Sequence, residues 1–428
     1  MDENLKPGKR IKVEHKEGTH EGIVMERSSL AKPTHIVLKL DSGYNVGIEK
    51  KNIKKATVIK KTQKGDAKAP TLSPKVDSNL PPVSVLATGG TIASRVDYIT
   101  GGVVSATTAK ELVAAVPELG GIATLSCGQI FNKFSENMAP KDWIAIAQNA
   151  FDVLKKEKPQ GIVITHGTDT MGYSSAALSF LLQTPVPIVF TGAQRSSDRG
   201  SSDAALNMVG AVRFAAEADF SGVCVAMHGS SDDSNTLIHP GARVRKLHTS
   251  RRDAFKTVGD SPIATIEGKN ISLLNPEKNK RGGKLELCDK LEEKVFLLKY
   301  APGTNPEFIE KLVDGSVKGI VLEGTGLGHV SDSLFEPLKN AISSGVHVVM
   351  TSQTIWGRVN MNVYSTGRNL LEMGVIPGED MLSETAYVKL MWVLAREKKQ
   401  EKVKELMLTN IVGEITKGTP IEEDIPDQ

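Results

Sequence analysis

The chain has 428 residues, of which 39% are hydrophobic and 24% are charged, and its formal net charge at pH 7 is +3. This length is sufficient for more than one domain with a sizeable core, and the composition is ordinary for a globular protein in water. No run of about eighteen apolar residues occurs, which argues against a membrane-spanning helix.

Two further features favour a cytoplasmic protein. The amino end, M-D-E-N-L-K-P-G-K-R, lacks the apolar core of a secretory signal. The three cysteines, Cys127, Cys224 and Cys288, are far apart and include no C-x-x-C pair. An odd number of scattered cysteines fits a reducing compartment and argues against disulfides and a thiolate zinc site.

The first 60 residues consist of short β-like runs separated by turn residues. The runs are R-I-K-V-E-H, E-G-I-V-M-E-R, H-I-V-L-K-L, Y-N-V-G-I and A-T-V-I-K. Five short strands in so few residues predict a small closed barrel of the SH3/Sm-like kind, an adaptor module that docks to protein or RNA (1–60). Residues 61–81 are polar and rich in lysine and proline, which predicts a linker.

Basic charge is concentrated in this amino-terminal part. Residues 1–69 carry 16 lysines and arginines against 9 acidic residues, a net charge of +7. The whole chain has 53 basic and 50 acidic residues, so residues 70–428 carry 37 basic against 41 acidic residues, a net charge of −4. A basic segment can attract a polyanion such as RNA, although lysine-rich surfaces are commonly just solvated.

From Pro82 the pattern changes to strands that alternate with helices, which predicts an α/β fold with mostly parallel sheets (82–281). The predicted strands are Val83–Thr88, Gly161–Thr165, Pro187–Thr191 and Gly222–Met227, and the predicted helices are Thr108–Val116, Pro140–Lys156, Met171–Leu182 and Asp203–Ala218.

A charged connector (282–293) leads to a second, smaller α/β domain (294–412), and an acidic, loose tail follows (413–428). The predicted strands of the smaller domain are Val295–Lys299, Gly319–Glu323 and His347–Thr351, and its predicted helices are Asn305–Val313, Asp332–Ser343 and a long one over Glu384–Leu408.

Two strand-to-turn segments carry polar groups that point to chemistry. After the buried run Gly161–Thr165 come Thr168 and Asp169, a hydroxyl beside a carboxylate. After Val83–Thr88 two glycines allow a tight turn before Thr91. Ligands of open α/β sheets bind at the carboxyl ends of strands, so these threonines predict a site at that edge. Taken singly, each threonine also fits a turn residue and Asp169 also fits a helix cap.

Four motifs, in order along the chain, resemble those of the L-asparaginase/glutaminase family. They are A-T-G-G-T-I-A-S at 87–94, T-H-G-T-D-T-M at 165–171, T-G-A-Q-R at 191–195 and T-S-Q-T-I-W-G-R-V-N-M-N-V-Y-S-T-G at 351–367. The resemblance covers roughly residues 82–410 and implies a two-domain asparaginase-like body that hydrolyses an amide. An amino-terminal barrel is not part of simple asparaginases, and the combination resembles the ammonia-supplying subunits of archaeal tRNA-dependent amidotransferases.

The resemblance implies a set of catalytic residues. Thr91 matches the family's favoured nucleophile, while Thr168 and Asp169 match its second threonine and aspartate. Lys256, in D-A-F-K-T, is matched to the lysine beside them that takes part in proton transfer. Tyr98 is matched to a tyrosine of a mobile loop that helps to activate the nucleophile. Such a set supplies what amide hydrolysis needs, because the attacking hydroxyl must be activated and the leaving amine protonated.

The resemblance also implies how L-glutamine is held. Ser135 donates to the substrate carboxylate, and Glu136 and Asp169 face its ammonium group. Many relatives carry glutamine in place of Glu136, which puts the substrate preference in question. Backbone N–H groups around Gly90 and Gly167 are the expected oxyanion donors. No metal site is expected, since the histidines lack metal-ligand spacing and no H-E-x-x-H occurs.

By resemblance, the chain forms a homodimer and works with a synthetase-like partner subunit of the E type. That partner would hold ATP and Mg²⁺ and most contacts to tRNA(Gln), since this chain has no P-loop sequence and no cofactor of its own is expected. Two alternatives stay open. One is a stand-alone cytoplasmic L-asparaginase, and the other is a catalytically silent RNA or protein adaptor, against which the intact set of candidate residues argues.

Overall fold

The computed structural model of the chain describes residues 5–16, 18–25, 34–40, 45–59, 79–89, 94–96, 103–105, 116–195, 202–275 and 279–418. These residues form an amino-terminal antiparallel sheet, followed by an α/β body with an eight-stranded and a four-stranded sheet. The predicted helix Thr108–Val116 lies outside the described residues except for Val116.

The amino-terminal sheet has five antiparallel strands in the order β4-β3-β2-β1-β5. They are β1 (Arg10–His15), β2 (Gly18–Val24), β3 (His35–Leu40), β4 (Asn45–Glu49) and β5 (Ile53–Val58). Ile11 and Val13 are buried while Lys12 and Glu14 are exposed, because successive side chains of a strand point to opposite faces. The described residues show no pairing of β4 with β5, which would close the sheet into the predicted barrel.

The remaining strands belong to the α/β body. In chain order they are β6 (Pro82–Gly89), β7 (Ser94–Val96), β8 (Val103–Ser105), β9 (Thr124–Lys133), β10 (Gly161–Thr165), β11 (Leu182–Gln183), β12 (Pro187–Thr191), β13 (Gly222–His228), β14 (Thr236–Pro240), β15 (Val244–Lys246), β16 (Phe255–Thr257), β17 (Ala264–Glu267), β18 (Asn270–Leu273), β19 (Glu286–Leu287), β20 (Val295–Lys299), β21 (Gly319–Gly324), β22 (His347–Ser352) and β23 (Ile376–Pro377). Short two-stranded pairs form between β7 and β8, β11 and β19, and β15 and β16.

The α-helices share the body with these strands. They are α1 (Pro140–Lys156), α2 (Met171–Leu181), α3 (Ala204–Glu217), α4 (Glu307–Asp314), α5 (Phe335–Ser343), α6 (Ser365–Glu372), α7 (Ser383–Leu394) and α8 (Gln400–Leu408). Within the described ranges, no helix combines the length and apolar character needed to cross a bilayer.

The eight-stranded sheet has the order β18-β17-β14-β13-β12-β10-β6-β9. Strands β9, β6, β10, β12 and β13 run parallel, whereas β14, β17 and β18 continue the sheet antiparallel. The sheet is therefore mixed, and the antiparallel strands and β9 were not predicted. Alternate residues of the central strand face two separate cores: Ile162 and Ile164 pack with α1 and α2, and Val163 packs with α3.

The four-stranded sheet is parallel and has the order β20-β21-β22-β23. Its apolar residues form one core with α5, but Val321 and Val349 belong to the core that also contains Ile162. Helix α7 packs against α2 and so connects the two sheets. Since α2 begins directly after the loop that carries Thr168, this packing fixes the loop relative to the smaller sheet.

The carboxyl-terminal part differs from the prediction in two respects. The predicted long helix is two helices, because the Glu397 carboxylate accepts hydrogen bonds from the N–H groups of Lys398 (2.7 Å) and Lys399 (2.9 Å) and turns the chain before α8. Residues 413–418, predicted as loose tail, are held in place: Glu414 is fully buried against Lys389 (2.6 Å). Residues 419–428 of the predicted tail lie outside the described residues.

Candidate active site

The site is built at one edge of the eight-stranded sheet, where neighbouring parallel strands end together. Strand β6 is registered against β10, so that Ala87 lies opposite Thr165, and β9 runs beside β6. The Thr88 hydroxyl donates to the Thr165 carbonyl at 2.8 Å and ties the two strand ends to each other. The two motifs therefore leave the sheet at adjacent points, as the sequence predicts.

Thr168 and Asp169 lie in the turn between β10 and α2. The Thr168 side chain is buried, whereas that of Asp169 is 67% exposed. Both receive hydrogen bonds from one ammonium group: Lys246 Nζ lies 2.9 Å from Thr168 Oγ1 and 2.7 Å from Asp169 Oδ1. A hydroxyl that accepts from lysine keeps its own proton available to another acceptor, which is the arrangement a proton relay needs.

The lysine beside Thr168 and Asp169 is thus Lys246, and the expectation that Lys256 lies there is wrong. In the β15–β16 pair Lys246 is opposite Phe255, and Lys256 is opposite Arg245. Side chains of adjacent residues in a strand point to opposite faces, so Lys256 faces away from the side that Phe255 and Lys246 share. The Lys256 ammonium lies 3.9 Å from Asp253 instead.

Arg243 anchors the strand that carries Lys246. Its guanidinium is almost fully buried and donates to the Val258 carbonyl (3.2 Å), the Gly413 carbonyl (2.8 Å) and the Asp380 carboxylate (2.9 Å). Planar guanidinium groups suit such multiple fixed contacts. Arg243 stands three residues before Lys246, and its contacts hold this part of the chain against three segments that are distant in sequence. No local pattern in the sequence indicates these contacts.

Ser135 and Glu136 follow β9 in a short 3₁₀ turn, Ser135–Asn137, at the same edge of the sheet. Ser135 is buried and touches the Thr168 turn: a Cβ atom at Gly167 would lie 2.7 Å from the Ser135 Cβ. Only glycine fits there without displacing a neighbour. The Thr170 hydroxyl donates to the Ser135 carbonyl at 2.7 Å. The structure therefore brings Ser135 and the Thr168 turn together, and Glu136 is exposed beside them.

Three predicted site residues, Gly90, Thr91 and Tyr98, lie outside the described residues, and their roles stay predictions. The last described residue before them is Gly89, whose φ of +109° lies in the range that favours glycine. A Cβ atom at Gly89 would also lie 2.4 Å from the Lys133 carbonyl oxygen. Strand β6 thus needs glycine at its end, two residues before Thr91.

Two histidines near the sheet are buried in the neutral form. Burial lowers the pKa of His166 to about 4, against a smaller opposing effect of its hydrogen bond to Gly167. Burial, with help from the positive charge of Lys256, lowers the pKa of His239 to about 3. At neutral pH neither ring carries a charge, so His166 acts as a hydrogen-bonding group beside Thr168.

We expect acid to destabilise the protein through these two rings. An unfolded histidine binds its proton near pH 6.5, whereas the folded His166 and His239 bind theirs only near 4 and 3. The unfolded state therefore takes up more protons as the pH falls, and each ring should reduce the free energy of unfolding by about 2 kcal/mol between pH 7 and pH 5.

Urea unfolding at pH 7, 6 and 5 measures this slope. A His239→Asn variant, compared with itself across the same pH values, should show a smaller slope because it has one buried imidazole fewer. Equal slopes for the two proteins, or a stability that rises toward pH 5, would contradict the expectation.

Potential metal-binding groups and cavities also bear on the location of the site within the described residues. Within them, no group of three or more histidine, cysteine, aspartate or glutamate side chains could hold a metal ion. A cavity of about 950 Å³ lies elsewhere, with Trp392, Ile411 and Lys417 among its lining residues, and it includes none of the candidate site residues. The convergence of polar groups on Thr168, rather than cavity size, locates the site.

Comparison with known protein families matches nearly the whole described chain. Residues 82–279 match the family "Asparaginase, N-terminal", residues 294–407 match the "Glutaminase/Asparaginase C-terminal domain", and residues 5–59 match the "GatD N-terminal domain".

Individual relatives agree with these families. The chain is 52% identical over 419 residues to the D-type subunit of glutamyl-tRNA(Gln) amidotransferase from Pyrococcus furiosus, and the match covers 96% of this chain and 94% of the relative. It is 48% identical over 431 residues to the protein of that name from Methanopyrus kandleri, covering 97% and 93% of the two chains.

Among solved structures, the thermostable L-asparaginase from Thermococcus kodakarensis matches with a TM-score of 0.70 and 34% identity, over 78% of this chain and 99% of that one. L-asparaginase I from Vibrio cholerae matches with a TM-score of 0.69 and 29% identity, over 79% and 99%.

Proposed function

The chain belongs to the asparaginase family and, within it, to the D-type subunits of glutamyl-tRNA(Gln) amidotransferase, and we propose that it is the glutaminase component of such an enzyme. It hydrolyses L-glutamine to L-glutamate and ammonia. A partner subunit uses the ammonia to convert ATP-activated glutamyl-tRNA(Gln) to glutaminyl-tRNA(Gln). The observation that carries the chemical part is the Lys246 ammonium, bonded to both Thr168 and Asp169 at the end of β10.

The reaction follows from what these groups can do. The Thr91 hydroxyl oxygen attacks the side-chain amide carbon of glutamine. Its proton passes to the Thr168 hydroxyl, which hands its own proton to Lys246, and Lys246 enters this step as the neutral amine and leaves it as the ammonium. The C–N bond breaks, a proton returns to the leaving nitrogen, and ammonia departs. Water then hydrolyses the acyl ester on Thr91 and releases glutamate. Backbone N–H groups around Gly90 and Gly167 stabilise the oxyanion in both steps, and Tyr98 helps to activate the Thr91 hydroxyl.

Substrate binding uses the groups that surround this turn. Asp169 is exposed enough to meet the ammonium group of glutamine while it stays bonded to Lys246. Glu136 supplies a second carboxylate, and the Ser135 hydroxyl donates to the substrate carboxylate. Two carboxylates against one ammonium favour a free amino acid over a peptide amide, since a peptide nitrogen carries no charge.

The partners rest on the family and on the charge of the chain. We propose a homodimer of this cytoplasmic chain, joined by a synthetase-like subunit that holds ATP, Mg²⁺ and most contacts to tRNA(Gln). The basic amino-terminal sheet, which we propose to be a small closed barrel, is an adaptor in this assembly. A stand-alone L-asparaginase is the second candidate, because the match to the Thermococcus kodakarensis enzyme covers 99% of that chain.

Ammonia release from L-glutamine and from L-asparagine tests the proposal. It is measured with the purified chain alone and then with the candidate partner subunit, glutamyl-tRNA(Gln) and ATP. We expect release from glutamine that rises strongly in the full mixture and disappears in a Thr91→Ala variant. Rapid release from asparagine by the chain alone, unchanged by the other components, would make the protein an asparaginase. Full activity of Thr91→Ala would remove Thr91 as nucleophile.

A further inference from the structure

A chain of three buried side chains ends at the backbone of the Thr168 turn. The Trp143 ring nitrogen of α1 lies 3.0 Å from the Ser174 hydroxyl of α2, and that hydroxyl lies 2.8 Å from His166 Nε2. His166 Nδ1 lies 2.6 Å from the Gly167 carbonyl oxygen. All three side chains are buried, Ser174 and His166 almost completely. None of them belongs to the proposed catalytic set.

The direction of every hydrogen bond in this chain follows from its two ends. An indole N–H can only donate and a carbonyl oxygen can only accept. His166 must therefore donate through Nδ1, and a neutral imidazole has only one N–H, so Nε2 accepts. Ser174 then accepts from Trp143 and donates to His166. Burial lowers the pKa of His166 to about 4, so the ring is neutral at working pH and this single pattern holds.

The last bond sets the orientation of one peptide group. In a trans peptide the carbonyl oxygen and the following N–H point in opposite directions. Because the Gly167 oxygen is turned toward the buried His166 ring, the Thr168 N–H is turned away from it. No acceptor for that N–H occurs among the residues that the structure describes. The Thr168 hydroxyl of the same residue meets Lys246.

We propose that Trp143, Ser174 and His166 are positioning residues, which hold the Gly167–Thr168 peptide so that both the Thr168 N–H and its hydroxyl face the substrate. The proposal rests on the proposed function, since it assumes that Thr168 acts on the glutamine amide. It adds residues that make no contact with substrate and that act through the backbone.

Close packing around the turn restricts the orientation of the Gly167–Thr168 peptide. A Cβ atom at Gly192 would lie 2.6 Å from the His166 carbonyl oxygen, and one at Gly167 would touch Ser135. The His166 ring meets the Phe190 ring edge-on, with 5.8 Å between centroids. The turn is thus closely enclosed, and a change in the hydrogen bonds of His166 acts on the peptide directly.

Two amide variants of His166 separate positioning from simple packing. In His166→Asn the amide nitrogen takes the place of Nδ1 and can still donate to the Gly167 oxygen. In His166→Gln the amide reaches the place of Nε2 instead. We expect kcat of His166→Asn to stay within about fivefold of the original protein and that of His166→Gln to fall by about 30-fold or more, with KM changed less than about threefold in each, because the peptide acts mainly in the transition state. Ser174→Ala should give an intermediate loss, since it frees the ring to change its tautomer.

The tautomer itself is a readout that does not depend on activity. With ¹⁵N-labelled histidine, NMR of the original full-length protein should show His166 as the neutral Nδ1–H form from pH 7 to pH 5. An Nε2–H or charged ring would overturn the relay. Equal kcat for the Asn and Gln variants, or a loss of kcat that follows only the fraction of folded protein, would overturn the positioning role. An inactive original protein in the complete mixture, by contrast, counts against the proposed function.

Discussion

Replacement of Lys246 by methionine should lower the amidase kcat by a factor of about 100 or more, while the same change at Lys256 should leave it within about twofold. Lys246 is the group that donates to both Thr168 and Asp169, and a positioned proton-transfer group contributes about 10²–10⁴-fold to catalysis. Methionine keeps most of the volume of lysine but neither donates nor carries charge.

Lys256→Met is a matched control because the two lysines lie on neighbouring strands, both partly buried, on opposite faces of the same β15–β16 pair. Steady-state ammonia release with the complete set of partners measures both variants. Lys246→Arg tests whether charge is sufficient: we expect partial activity, because a guanidinium keeps the charge but not the geometry of an ammonium group. Loss of activity in Lys256→Met with an active Lys246→Met would restore the assignment made from the sequence.

Removal of the Lys389 charge should destabilise the protein by about 3–5 kcal/mol. Lys389 and Glu414 are both fully buried, with 2.6 Å between Nζ and Oε1, and Lys389 also donates to the carbonyls of Met407 (2.8 Å) and Thr409 (2.7 Å). Burial lowers the pKa of Lys389 and the nearby Glu414 carboxylate opposes that shift. In Lys389→Met the buried Glu414 carboxylate loses its cationic partner, which is the costly state.

Denaturant unfolding measures the effect, with two comparison variants. Lys389→Met/Glu414→Gln removes both charges, and Gln can still accept from the N–H groups of Ile411 and Val412, so it should recover most of the stability. Lys402→Met removes an exposed pair with Glu405 and should cause no measurable change. A Lys389→Met protein as stable as the original would show that the buried pair does not hold the carboxyl-terminal segment.

Elements that are apolar throughout, or apolar on one face, could be predicted closely from the sequence. Strands β10 and β12 and helix α1 begin and end at the predicted residues. Every residue of the two strands is buried, so each strand appears in the sequence as an apolar run, and the apolar residues of α1 recur with a helical period. Strand β9 was missed, since its residues are mostly half-buried and mix polar with apolar types without a clear period. The antiparallel strands β14, β17 and β18 are too short to outweigh the parallel pattern around them.

Some residues of the site could also be predicted from local sequence, whereas others could not. Thr168 and Asp169 stand beside each other in the chain, and a buried strand delivers them to the sheet edge, so local sequence was enough to predict that this turn carries the chemistry. The choice of Lys246 over Lys256 depends on contacts 77 and 78 positions apart in the chain. One local feature indicated that Lys256 faces away from Thr168: Phe255, its neighbour in the strand, is buried, and adjacent side chains of a strand point to opposite faces.

Short-range patterns of apolar and polar residues were thus sufficient to predict the class of fold, the positions of the buried parallel strands along the chain and the turn that bears the reactive groups. Three other features became known only from the folded chain: the lysine that meets Thr168, the tie from Arg243 and Asp380 to the carboxyl-terminal segment, and the path from Trp143 and Ser174 through His166 to the turn. Those are contacts between side chains from separate elements. They depend on how the helices and strands pack, which no local pattern records.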